Sequence, residues 1–148
     1  MINAVADASV AVKWCLPPTD AERDRDLAIA LLEGVKSGRI ALRQPPHWLA
    51  EVAAVLSRLA PTTARHDIED LYAMRIPVVE IVELYTAASR LAISVDQHVF
   101  DTLYHAAALL VPDCSLVTAD ERYYHKARNA GSIVLLRDFN AATGERSS

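Results

Sequence analysis

Short apolar runs alternating with longer stretches of helical periodicity constrain this chain more than any other feature. Ile2 to Ala6, Ser115 to Thr118 and Ile133 to Leu136 read as strands, with Ile40 to Leu42 and Val78 to Ile81 as weaker candidates. None alternates strictly between apolar and polar residues, which is the pattern of parallel strands covered on both faces. Helical stretches lie between them. Asp20 to Val35 places Leu27, Leu31, Leu32 and Val35 on one side, and His47 to Leu59 does the same with Leu49, Val52, Val55, Leu56 and Leu59. Thr62 or Thr63 caps a helix running to about Met74. Val82 to Ala92 follows, then Gln97 to Leu110, stopped by Pro112, and Asp120 to Asn129, closed by Gly131. The expectation is an α/β fold, a three-layer sandwich with a mostly parallel central sheet.

A chain of 148 residues suits one domain with its own core, and the reading takes 1–148 as that domain, with about 140–148 a frayed tail. The longest apolar runs, Leu27 to Leu32 and Ala106 to Val111, are six residues each, against the roughly 20 that a membrane-spanning helix needs. The opening Met1-Ile2-Asn3-Ala4 lacks the basic and apolar regions of a secretory signal, so a cytoplasmic protein is expected, with no membrane partner. Cys15 and Cys114 form no Cys-x-x-Cys pair and read as small packing residues rather than a disulfide or zinc site. A net charge of −4 argues against holding nucleic acid by bulk electrostatics, but leaves room for a nucleic-acid enzyme with a local basic rim.

Parallel α/β sheets bind ligands beyond the carboxyl ends of their strands, and two acids fall there. Asp7 follows the first strand and Asp120 follows Leu116-Val117-Thr118-Ala119. Either one alone is well explained as a helix N-cap. Glu51 and Asp101 are harder to dismiss, because both sit on helices amid core-like residues, where a carboxylate loses hydration worth several kcal/mol. Each either faces solvent from a narrow polar stripe, meets a cation such as Arg58, or does chemistry. Four acids gathered at one point would repel and raise one another's pKa unless a cation neutralised them. Oxygen ligands select a hard ion, Mg²⁺ or alternatively Mn²⁺. The hydroxyls of Ser9 and Thr118, two residues from Asp7 and Asp120, are placed to support the carboxylates.

At these residues the chain resembles a PIN-domain ribonuclease, and more closely a VapC-type toxin of a bacterial toxin–antitoxin pair. Val5-Ala6-Asp7-Ala8-Ser9-Val10 is similar to the first family motif, and Pro46 through Leu56 to the second, with its acid at Glu51. Phe100-Asp101-Thr102-Leu103-Tyr104-His105-Ala106-Ala107-Ala108 resembles the third, with Tyr104 a packing position. Leu116-Val117-Thr118-Ala119-Asp120-Glu121-Arg122 resembles the fourth. Four motifs in order, with every acid retained, are specific where each alone is weak.

The resemblance implies a Mg²⁺-dependent endoribonuclease that leaves a 5′-phosphate and a 3′-hydroxyl. Asp7, Asp101 and Asp120 would hold the ion, and Glu51 would bind it or its water. It also implies a homodimer and a VapB-like antitoxin that inserts a segment near the acids. Lys13, Arg122 and Lys126 lie close enough in sequence to Asp7 or Asp120 to contact RNA phosphates, although solvated charge explains each as well. His47, His66, His98, His105 and His125 show no paired metal-ligand spacing and read as surface or capping residues, with His125 on the final helix the one in a position to approach the site. No glycine-rich phosphate loop is present, so no nucleotide cofactor is expected. Two other classes compete. A phosphatase or phosphotransfer module on a doubly wound fold would want an Asp-x-Asp start, but position 9 is Ser. A non-catalytic module could use the acidic edge to bind a partner.

Overall fold

A computed structural model describes residues 1–17 and 24–141. Four strands, β1 (Ile2–Ala6), β2 (Ile40–Leu42), β3 (Cys114–Thr118) and β4 (Ile133–Leu135), pair in the order β2-β1-β3-β4. Every pairing is parallel, with Ala4 opposite Leu42 on one side of β1 and Val5 opposite Leu116 on the other. Seven α-helices accompany them among the described residues: α1 (Ala8–Ala11), α2 (Arg25–Lys36), α3 (Trp48–Leu59), α4 (Ala64–Ala73), α5 (Val82–Val95), α6 (Val99–Leu110) and α7 (Glu121–Ala127). This is the expected α/β three-layer sandwich.

From β1 the chain moves outward to β2, then crosses back over β1 to β3 and on to β4. Parallel neighbours need such crossovers, and the helices in them cover the sheet. α2 packs on β2, α6 on β1 and β3, and α7 on β4. The order reverses between β1 and β3, so their carboxyl ends flank a topological switch point.

Burial explains the elements. Val5, Leu116 and Val117 are fully buried, as both faces of the central strands are covered. α6 lies between the sheet and α5, so Thr102 through Ala108 are all buried. Thr102 meets its burial cost by donating from Oγ1 to the Ala88 carbonyl of α5 at 2.7 Å. Each fully buried Leu or Val contributes roughly 1.5–3 kcal/mol. Gly34 lets α2 approach the sheet edge, since a Cβ there would lie 2.6 Å from Ile40 Cδ1.

Several expectations change. Val78 to Ile81 is not a strand: only Val78 bridges to Gln44, because Pro77 has no N–H to extend a ladder and Val78 and Ile81 remain half exposed. The helix expected from Asp20 begins at Arg25, and its first expected turn lies outside the described residues, as does most of the expected tail. Thr63 is the N-cap of α4, but its side chain makes no capping bond. A short α1 and a 3₁₀ turn at Val12–Trp14 directly follow Asp7, and 3₁₀ turns also extend α7 and β4. Cys15 and Cys114 are both free thiols, half-buried and buried, as packing residues should be.

Candidate active site

Asp7 leaves β1 in an extended conformation and caps α1 by accepting from the Ser9 N–H at 3.1 Å. The same Oδ2 accepts from Ser9 Oγ at 2.5 Å and from Thr118 Oγ1 at 3.4 Å. Ser9 Oγ in turn accepts from the Ala119 N–H at 3.0 Å, and Thr118 Oγ1 from the Asp120 N–H at 3.1 Å. The two hydroxyls therefore lace the end of β1 to the end of β3. Loss of hydration pushes the Asp7 carboxyl up to about 6, against the pull of its Ser9 bonds, and the charges of Glu51 and Asp101 add to the rise. Burial, more than the mutual repulsion expected from sequence, is the larger cause.

The residue before Asp7 is held by a group that sequence inspection missed. β2 ends at Leu42, and the backbone of Gln44 turns away to Pro77 and Val79. The fully buried Gln44 side chain takes over the pairing: its Oε1 accepts from the Ala6 N–H and its Nε2 donates to the Ala6 carbonyl, both at 2.8 Å. A glutamine between a strand and Pro45-Pro46 is ordinarily a surface residue, so no local signal marks it.

Glu51 sits in the first turn of α3 and Asp101 in the first turn of α6, where helix dipoles favour carboxylates. Neither meets Arg58. Glu51 Oε2 lies 3.3 Å from His47 Nε2, and Asp101 Oδ2 accepts from Gln97 Nε2 at 2.8 Å. The His47 ring packs on Tyr104 with centroids 4.8 Å apart. Tyr104 is fully buried, as a packing residue should be, yet its hydroxyl closes no hydrogen bond of normal geometry. Burial, then the charges of Glu51, Asp7 and Asp101, push its pKa upward.

Asp120 caps α7, its Oδ1 accepting from the Tyr123 N–H at 3.0 Å. The Tyr123 hydroxyl is raised first by burial and then by the charges of Asp7, Asp101 and Asp120. Asp7 and Asp101 thus act on both tyrosines, Glu51 on Tyr104 and Asp120 on Tyr123. As they stand, no three His, Cys, Asp or Glu side chains among the described residues approach closely enough to share one ion. Glu51 lies against His47, and Asp101 is bonded to Gln97. The donor set nonetheless fits a hard divalent cation: four carboxylates, a partly desolvated Asp7 and an orphaned tyrosine hydroxyl beside Glu51.

His105 corrects the surface reading of the histidines, because it is fully buried. Its Nε2 lies 2.6 Å from the Gly131 carbonyl, which can only accept, so Nε2 carries the proton and Nδ1 accepts from the Tyr123 hydroxyl at 2.9 Å. Burial lowers its pKa and holds it neutral. His47 and His98 occupy the N-cap positions of α3 and α6, and neither side chain makes a capping bond. His66 pairs with Asp70 on the surface, and the exposed His125 packs its ring on Tyr124. Of the basic residues, Arg122 is exposed and lines a depression of about 500 Å³ with Asp120 and Gln97. Lys126 reaches the same depression, but its ammonium donates to the Asp96 carbonyl at 2.6 Å and to Gln97 Oε1 at 2.8 Å. Lys13 is half-buried in the 3₁₀ turn after α1.

A family model described as the PIN domain matches residues 4–129, a span that takes in all four acids, the end of β1, and the whole of β2 and β3. No curated protein matches the chain.

Proposed function

This chain belongs to the PIN-domain family, whose members are generally metal-dependent nucleases, and on that premise we propose that it is a Mg²⁺-dependent endoribonuclease serving as a VapC-type toxin. The observation that carries the reading is the set of four acids brought from β1, α3, α6 and the end of β3 to one edge of the sheet, with Asp7 among them pushed up to about 6. A carboxylate that has lost hydration beside other acids, as Asp7 has, is a poor resting place for charge and a good one for a divalent cation.

Asp7, Asp101 and Asp120, with Glu51 directly or through water, would hold Mg²⁺, with Mn²⁺ an alternative ion. Such an ion, when bound, lowers the pKa of a water and stabilises charge on phosphoryl oxygens. The chain's own residues supply the rest. Ser9 and Thr118 fix Asp7 Oδ2 by hydroxyl bonds, so the carboxylate does not rotate when substrate arrives. Glu51, partly exposed beside His47, accepts a proton from the attacking water. Arg122 and Lys13 contact backbone phosphates, positioning RNA without reading its sequence. Lys126 would have to break two hydrogen bonds to do the same, which counts against it as a phosphate contact. Hydrolysis leaves a 5′-phosphate and a 3′-hydroxyl.

The partners follow from the toxin reading. A VapB-like antitoxin supplies an arginine that meets the acids and competes for their charge. Val82 and Ile93 of α5 expose apolar surface that suits a homodimer, and the pair acts in the cytoplasm. The phosphotransfer alternative loses ground because Ser9, in place of a second acid, is bonded to Asp7. Substituting Asp101→Asn tests the reading. Mg²⁺-dependent cleavage of single-stranded RNA should fall by at least about 100-fold, with chelator abolishing the parent's activity. Cleavage equal to the parent's would remove the catalytic role, and a loss of partner binding alone would favour a non-catalytic module.

A further inference from the structure

Asp101, the acid of α6, is held from one side by a residue that lies outside the four motifs. Asp96 closes α5 in the left-handed region, at φ 52°, which an aspartate tolerates better than most residues. The turn delivers Gln97 to the foot of α6, its N–H bonded to the Ala92 carbonyl at 3.0 Å. From there Nε2 donates to Asp101 Oδ2 at 2.8 Å while Oε1 accepts from Lys126 Nζ at 2.8 Å.

The orientation of the amide follows from chemistry. An ammonium has only donors, so the atom facing Lys126 must be the oxygen, and the nitrogen is left to face the carboxylate. Lys126 is itself held by the Asp96 carbonyl at 2.6 Å, within the same turn that presents Gln97. Three elements, the α5–α6 turn, α6 and α7, meet in this one chain of hydrogen bonds.

We infer that Gln97 is a positioning residue for Asp101, and that Lys126 acts through it by locking the amide rather than by contacting RNA. The inference rests on the nuclease reading, since it assigns Gln97 the task of presenting a metal-binding carboxylate. Asp101 then keeps its other oxygen for the ion, and its rotamer is set before the ion arrives. Partners of this kind typically change metal affinity or activity 10–100-fold when lost.

The experiment measures Mn²⁺ binding to the full chain by calorimetry, alongside kcat and KM for Mg²⁺-dependent cleavage of a single-stranded RNA. Gln97→Met keeps the length of the side chain and removes the amide. It should weaken Mn²⁺ binding about tenfold and lower kcat, with KM for RNA little changed. Lys126→Met should give a smaller loss of the same kind, Lys126→Arg should restore most of it, and the double variant should be no worse than Gln97→Met alone. Mn²⁺ affinity of Gln97→Met equal to the parent's would overturn the inference. So would a Lys126→Met loss that adds to that of Gln97→Met and falls on KM, the mark of a phosphate contact. Thermal unfolding of each variant separates these outcomes from misfolding, and the exposed Lys126 gives a variant that spares the core. A parent chain that neither binds Mn²⁺ nor cleaves RNA would sink the nuclease reading itself, which is a different result from a parent that does both while Gln97→Met matches it.

Discussion

At the scale of single residues, Asp7 carries an opposition between its bonds and its burial. Three hydrogen bonds converge on Oδ2, which favours the charged form, yet loss of hydration outweighs them and lifts the carboxyl from 3.8 to about 6. The folded chain therefore binds more protons here than the unfolded chain between about pH 4 and pH 6. Stability contributed by this group is gained as pH falls through about 6 and lost as pH rises through it. Asp7→Asn removes the buried charge and keeps a side chain able to cap α1. In the presence of chelator it should be more stable than the parent near pH 7 by about 2–3 kcal/mol, the advantage shrinking toward zero near pH 4. Urea denaturation of both chains across that range checks this, and parallel pH profiles would contradict it. His105 runs the other way, since its lowered pKa costs stability as pH drops below its ordinary 6.5, but it does so in parent and variant alike. The position of Asp7 after a strand was legible in the sequence, and so was its capping role. The balance between burial and bonding was not, because desolvation depends on every element packed around the carboxyl.

At the scale of elements, the carboxyl end of β1 is completed by a side chain rather than a strand. Gln44 pairs with both backbone groups of Ala6 where β2 has already diverged, and so sets the point from which Asp7 departs. Gln44→Leu fills similar space but leaves a buried N–H and a buried carbonyl without partners, at roughly 1–3 kcal/mol each. The variant should lose about 2–5 kcal/mol of stability in chemical denaturation. A loss well under 1 kcal/mol would mean that water or a strand shift satisfies Ala6 instead. Helix existence and order were readable from periodicity, and α3, α5 and α6 lie within a few residues of their expected bounds. Val78 to Ile81 shows where that reading stops: three apolar residues around Glu80 look like a strand, but after Pro77 and without a continuing neighbour they form a single bridge.

At the scale of the whole molecule, the fold gathers four acids that lie far apart along the chain. Unfolding scatters them, so an ion held by the set, as proposed, would bind the folded chain far better than the unfolded one. Mg²⁺ at 100-fold above its dissociation constant should raise the unfolding free energy by about 2.7 kcal/mol. Chelator should reverse the gain, and Asp101→Asn should lose most of it. Thermal melting with and without Mg²⁺ reads this directly, and identical melting of parent and variant under both conditions would speak against a shared ion. The three-layer sandwich makes the gathering possible, because β1 and β3 are parallel neighbours and therefore end on the same edge.

The sequence by itself determined the alternation of strands and helices, the two aspartates that cap helices after strands, and the four acids in their order. These depend on periodicity and cap chemistry that act over a few neighbouring residues. Only the tertiary structure decided which partner the distant polar groups hold: Gln97 with Lys126, Gln44 with Ala6, and His105 with Tyr123. Those pairs bring together different elements, and hydrogen-bond partners and hydration at such distances are set by packing, which no local pattern of residues records.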